Sequence, residues 1–144
     1  MICSGFGHRE IFENIQEQLY MTVLSAIDSG CDVFYTGAMD KFDSMFSSAV
    51  REPRKDNPNI KLICIMPYMT ANINRNREYY AITYDDIIVP DELAGIHFKA
   101  SIKARNQWIV DHSDIIICYT IRDYGGAYDA IKYAYKKRKC IYRL

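Results

Sequence analysis

The sequence contains no hydrophobic run of membrane-spanning length. Even apolar runs as long as Ile115 to Tyr119 fall far short of the roughly 18 residues that a span requires. Arg9 and Glu10 interrupt the opening residues before the apolar core of a signal peptide could form. No membrane partner and a cytoplasmic location are therefore expected. Nor is there a surplus of either charge, since 18 Lys and Arg balance 18 Asp and Glu. Bulk attraction to a polyanion needs surplus positive charge, so the balance weighs against nucleic acid as a partner. Paired cysteines are missing too. Cys3, Cys31, Cys64, Cys118 and Cys140 are odd in number, form no C-x-x-C and lie mostly inside apolar runs. That argues against a disulfide framework or a zinc site and predicts reduced, mostly buried thiols. His8, His97 and His112 show no ligand spacing, so neither a metal nor another cofactor is expected. There is no G-x-S-x-G elbow for a serine nucleophile and no G-K-[ST] P-loop.

What is present is an alternation of two periodicities. The 144 residues suit a single domain over 1–144, large enough for an ordinary core. Short apolar runs recur at Met1–Cys3, Asp32–Tyr35, Leu62–Met66, Asp86–Val89, Asp114–Tyr119 and Cys140–Tyr142. Several are nearly continuous, which suits strands buried on both faces. Between them lie segments of helical spacing. Ile11, Ile15, Leu19, Val23 and Ile27 recur at four-residue steps and end at Gly30. Met39–Arg51 reads as a second helix stopped before Pro53, and Asn72–Ile82 as a weaker third. Ile96–Val110 reads as a fourth with Ile102, Ile109 and Val110 inward, and Tyr128–Lys137 as the last. The polar stretch from Arg51 to Asn59 reads as a surface loop. This order predicts an α/β, Rossmann-like three-layer sandwich with a mostly parallel sheet and helices on both faces.

In such folds ligands bind beyond the carboxyl ends of the strands, so the residues that follow each strand carry the functional signal. After the first come Ser4-Gly5-Phe6-Gly7-His8-Arg9. Gly5 and Gly7 let backbone approach a ligand, and His8 and Arg9 at a helix start suit a phosphate, because positive side chains there otherwise oppose the helix dipole. The dinucleotide fingerprint is not met: Glu10 replaces the third glycine and the second strand ends in Thr36, not an acid. Thr36-Gly37 then opens a second turn, with Asp43 placed either to accept from a ribose or to complement a helix N-terminus. Tyr68 after the third strand suits packing better than base stacking in a chain with 12 tyrosines. Arg105 and Asn106 sit well inside the fourth helix, where the guanidinium grips phosphate, fixes a loop or faces water. Gly125-Gly126 opens the last helix as a second phosphate cradle, with Asp129 in its first turn. Lys136 to Lys139 end that helix, where its dipole accounts for them.

Together, Gly7-His8-Arg9, Thr36-Gly37-Ala38 through Phe42-Asp43, and Arg105-Asn106 through Asp111 with Ser113-Asp114 resemble the SLOG superfamily. That group contains the DprA/Smf proteins and the Lonely Guy phosphoribohydrolases. The likeness is to its short, uncharacterised bacterial and phage members. The resemblance implies a modified Rossmann-like fold, a nucleotide-derived ligand across the glycine loops with phosphate near Gly125-Gly126, and a homodimer or higher homo-oligomer. The enzyme subgroup carries P-G-G-x-G-T followed by glutamates. Here Tyr124-Gly125-Gly126-Ala127-Tyr128-Asp129 lacks the proline, the threonine and the glutamate.

Two classes of function follow. The first is a binding module that senses or sequesters a nucleotide-derived small molecule through Gly5, Gly7, His8, Arg9, Thr36, Gly37, Arg105, Asn106, Gly125 and Gly126. The second is a hydrolase cleaving the N-glycosidic bond of a nucleoside 5′-monophosphate, with Asp129 and Asp43 as the candidate catalytic acids. The residues leave turnover open. A DprA-like single-strand binder is a third reading, disfavoured by zero net charge and the lack of a basic–aromatic groove.

Overall fold

The six apolar runs become six strands, all parallel, in a sheet ordered β4-β3-β2-β1-β5-β6. The computed structural model describes residues 1–144. The strands are β1 (Ile2–Gly7), β2 (Val33–Thr36), β3 (Lys61–Ile65), β4 (Asp86–Ile88), β5 (Ile115–Tyr119) and β6 (Cys140–Arg143). The helices are α1 (Gln16–Asp28), α2 (Lys41–Arg54), α3 (Ala71–Arg75), α4 (Arg77–Thr83), α5 (Phe98–Asp111) and α6 (Gly126–Lys136), with a 3₁₀ turn over Asp91–Leu93. From β1 the chain steps outward to β4, then returns through α5 to the other side of β1. Right-handed crossovers therefore put α1–α4 on one face and α5–α6 on the other.

Two cores follow from that layering. One holds Leu19 and Val23 of α1 and Phe42, Phe46 and Val50 of α2 against Cys3, Phe34, Leu62, Ile115 and Ile117. The other holds Ile109, Val110, Ala130, Ile131 and Ala134 against Phe6, Ile65, Ile116 and Cys118. The alternate residues of β5 thus enter opposite cores, which is why the run reads as continuously apolar. Cys3, Cys31, Cys64 and Cys118 are buried small hydrophobes, whereas Cys140 is exposed.

The structure corrects several boundaries. β1 extends to Gly7, so Ser4–Gly7 is strand and not loop, with Gly5 paired to Ile117 and Gly7 to Tyr119. α1 begins only at Gln16. Residues 8–15 form a connection whose Ile11 and Ile15 lie against the same core as the helix and so mimic its spacing. His8 and Arg9 are therefore not at a helix start. α2 runs through Pro53 to Arg54, whose guanidinium donates to Asp85 Oδ2 (2.9 Å) and to the Thr83 and Ile82 carbonyls (3.3 and 3.4 Å). The helix expected over Asn72–Ile82 breaks at Asn76, whose amide donates to the Asn72 carbonyl (2.9 Å) and side chain (2.7 Å) and competes with the backbone ladder. Ile109 and Val110 face inward on α5, but Ile102 is exposed. No helix is long and apolar enough to cross a membrane.

Candidate functional site

The strand order reverses between β1 and β5, and a cavity of about 410 Å³ opens there at the carboxyl ends of β1, β2 and β5. The structure brings Gly5, Gly7, His8, Arg9, Gly37, Asp43, Arg105, Asn106, Gly125 and Gly126 to its walls. Thr36 lies beneath them, fully buried, its hydroxyl accepting from the Ala38 amide (3.3 Å) and so fixing the turn after β2. Asp129 is not in the cavity. It is exposed on α6 and lines an adjoining depression of about 120 Å³ that shares Ile102, Asn106 and Gly126. The two candidate acids are thus not brought together, because the first turn of α6 carries Asp129 past the cavity wall.

The glycines divide by physical cause. A Cβ on Gly5 would stand 2.7 Å from Phe46 Cδ2, and one on Gly7 would stand 2.6 Å from Phe42 Cβ and overlap the Phe42 ring. Both are therefore demanded by the packing of α2 on β1, not by ligand approach as the sequence suggests. Gly125 and Gly126 face open space, and Gly125 holds φ +99°, a conformation that side chains resist. No side chain caps α6, so the amides of its first turn are left for solvent or a ligand.

Arg105 is 2% exposed and neither faces water nor stands free. Its Nη1 donates to the carbonyls of Ile65 (2.9 Å) and Gly37 (3.3 Å), and its Nε to Asn106 Oδ1 (2.9 Å). It therefore ties the end of β3 to the turn after β2, with Gly37 small enough to lie against it. Its Nη2 meets only the Met39 thioether (2.9 Å), and no carboxylate lies within ion-pair distance. One edge of a buried guanidinium is thus poorly satisfied at the cavity wall.

The start of α2 lines the cavity together with the arginines, and its Lys41 amide donates to the Arg9 carbonyl (3.1 Å). Asp40 is its N-cap, accepting from the Asp43 amide (3.0 Å), and Asp43 reaches back to accept from the Met39 amide (2.9 Å). Asp43 thus complements the helix N-terminus while also lining the cavity. Burial, reinforced by the neighbouring Asp40 charge, pushes its carboxyl up to about 7. Burial also raises Asp40 above the usual carboxylate range.

Comparison with known proteins places this geometry. No protein-family model matches the chain. It is 27% identical over 107 residues to a UPF0398 protein of Ligilactobacillus salivarius, covering 71% of this chain and 58% of that protein. It superposes on DNA processing protein A of Helicobacter pylori, studied for its single-stranded DNA binding mode, with a TM-score of 0.69, 16% identity and coverage of 100% of this chain and 65% of that one. The corresponding protein of Streptococcus pneumoniae gives a TM-score of 0.66, 14% identity, and coverage of 98% and 49%. The chain shares the DprA fold. That is the SLOG-type architecture anticipated from the sequence, and the chain spans less than two thirds of the length of each of these proteins.

Within the DprA-type fold three charged cavity residues, Glu10, Asp40 and Arg122, were not among the sequence-predicted site residues. Arg122 lies three residues past the end of β5, where the strand-end rule applies, and lines the cavity with its guanidinium 5.0 Å from the Tyr124 ring centroid. Asp40 was legible in the D-x-x-D spacing Asp40-Lys41-Phe42-Asp43, a helix-cap pattern. Tyr68 is exposed and lies in an apolar groove with Met69 and Phe98, outside the cavity.

Proposed function

We propose that this chain binds a nucleotide-derived small molecule, with its phosphate against the first turn of α6 and its sugar toward Asp40 and Asp43. One observation carries the reading. An uncapped helix N-terminus, three arginines (Arg9, Arg105 and Arg122) and the acids Asp40 and Asp43 line one cavity. Helix amides and arginines suit phosphate, and carboxylates suit hydroxyl donors. The cavity volume lies in the range of about 300–1,000 Å³ typical of small-molecule sites. Arg105 enters this reading as the fixture of the two loops first and as a phosphate contact only through Nη2.

A second reading has its own support. Asp43 carries a proton near neutrality inside the cavity, as a general acid for N-glycosidic cleavage must. The binder is preferred because the glutamate-bearing loop of the phosphoribohydrolases has no counterpart here. Single-strand binding, described for the Helicobacter pylori protein, is the third arm of the test. We also propose a homodimer or larger homo-oligomer, supported by exposed Tyr68, Met69 and Phe98 and read by sedimentation.

The test is a panel of nucleoside 5′-monophosphates, ADP-ribose and an oligothymidylate, scored in parallel by melting temperature and by chromatography of free base. At a hundredfold excess over the dissociation constant a ligand stabilises the fold by about 2.7 kcal/mol. The expected result is stabilisation by at least one small molecule without base release. Stabilisation by the oligonucleotide alone would replace this reading with single-strand binding. Base release that disappears in Asp43→Asn would make the chain a hydrolase.

A further inference from the structure

His8 is buried beside the cavity, yet its ring is already engaged. The amides of Ile121 and Arg122 donate to His8 Nε2 at 2.7 and 3.3 Å. A nitrogen that accepts from two N–H groups carries no proton of its own, so the ring is neutral with its proton on Nδ1. The segment it holds has no other tether. Residues 121–124 are all exposed and make no other hydrogen bond. Fixed points lie only on either side, where Thr120 accepts from Arg143 (2.8 Å) and Gly125 accepts from the Asp129 amide (2.9 Å). That segment carries Arg122 to the cavity and leads into Gly125.

From this geometry we infer that His8 is a positioning residue: its neutral imidazole is the tether that holds Arg122 and the entry to α6 in place for anion binding, and protonation opens the tether. A proton on Nε2 replaces the acceptor with a third donor facing two N–H groups, and puts a positive ring beside the Arg122 guanidinium. The inference rests on the proposed anion-binding cavity for its consequence, though not for its mechanism.

The sign of the pH effect follows from the surroundings. Burial, and then the Arg122 charge, lower the ring's pKa from its ordinary value, so the tethered form dominates at neutrality and is lost as the pH falls through the lowered value. Tyr119 of β5 meets the ring edge-on at 6.1 Å between centroids, with Glu13 beside its hydroxyl. Arg9 and Glu10 follow His8 in the chain, and Asp40 and Asp43 of the α2 start line the same cavity. Asp43 titrates at about 7, but its protonation removes negative charge and favours anions, the opposite sense to loss of the tether.

The experiment measures amide hydrogen-exchange protection at Ile121 and Arg122 by NMR between pH 5 and 8, in the full chain, in His8→Gln and in His8→Ala. Glutamine supplies a carbonyl acceptor that does not titrate. In the parent chain protection at both amides is expected to fall about tenfold as the pH drops through the ring's lowered pKa, the worth of one hydrogen bond. It should stay pH-independent in His8→Gln and be absent at every pH in His8→Ala. Calorimetry with 5′-AMP as the probe should show His8→Ala and Arg122→Ala each weakening binding, and the double variant no weaker than His8→Ala alone. Equal protection in parent and His8→Ala, or a parent-like pH course in His8→Gln, would overturn the inference. Should the parent not bind 5′-AMP, the proposed function fails on that probe. The tether is still decided by the amides, which involve no ligand.

Discussion

Gly7→Ala tests whether the smallness of β1 serves packing or ligand approach. The added Cβ would meet Phe42 at 2.6 Å from its Cβ, with closer overlap on the ring. Phe42 is fully buried and stacked on Phe46 with 6.2 Å between ring centroids, so it has nowhere to retreat. Overpacking of this kind costs about 1–3 kcal/mol, and rigid neighbours put the expectation at the upper end. At about 3 °C per kcal/mol for a chain of this size, the melting temperature should fall by about 9 °C. Gly126→Ala is the control. Its Cβ would meet nothing within 4 Å, so stability should stay within about 0.5 kcal/mol of the parent. Urea unfolding followed by circular dichroism reads both. The clash also has a named partner. Phe42→Ala alone should cost about 3–5 kcal/mol, but combined with Gly7→Ala the total should fall short of the sum, because the alanine removes the ring the new methyl strikes. A Gly7→Ala protein as stable as the parent, or strict additivity in the double variant, would refute the packing account.

Arg105→Ala should destabilise by about 3 kcal/mol or more, because the Ile65 and Gly37 carbonyls lose their donor and a cavity opens. Arg105→Lys should not restore the urea midpoint, since an ammonium cannot span both carbonyls and Asn106 as the planar fork does. Asp43 binds its proton more tightly folded, at about 7, than unfolded at the ordinary 3.8, so its contribution to stability is full below pH 3.8 and is lost as the pH rises through about 7. Asp43→Asn should flatten that part of a melting-temperature profile, and a slope unchanged in the variant would count against the assignment. Arg122→Ala should leave the unfolding free energy from urea titration within about 0.5 kcal/mol of the parent while weakening a phosphorylated ligand by about 1.5–3 kcal/mol in calorimetry. Gly126→Val should likewise stay folded and lose ligand, because a branched side chain would occupy the open space before α6.

The elements that could be read from sequence are those whose signal is local. Ile115–Tyr119 declares a central strand because alternate residues enter two cores. The four-residue steps from Leu19 to Ile27 declare α1 because one face of the helix meets one core. Misreadings arose where a distant partner sets a residue's meaning. Gly5 and Gly7 look like a loop until Phe42 and Phe46 are laid across them, and only then does the strand extend. His8 looks like a phosphate contact until Ile121 and Arg122 arrive from the far end of the chain. Arg105 offered three roles from sequence, and the Ile65 and Gly37 carbonyls select loop fixation. Asp129 looked equivalent to Asp43 because both sit one turn into a helix, but the helices enter at different places and only one reaches the cavity.

The reversal of strand order at β1 bears on how the protein comes to be. β1 through β4 can assemble as each strand follows its predecessor, outward from the first. The other flank of β1 must wait for β5, and the contact from His8 to Ile121 closes over 113 residues. Closing so long a loop costs entropy before any contact offsets it, so that pairing belongs to the later part of folding. During synthesis the first four strands emerge well before Ile115 is available. Until then β1 presents one open edge, and the cavity has Gly37 and Asp43 but neither Arg122 nor Gly125. Ligand binding by this chain would therefore report that folding has reached its final stage.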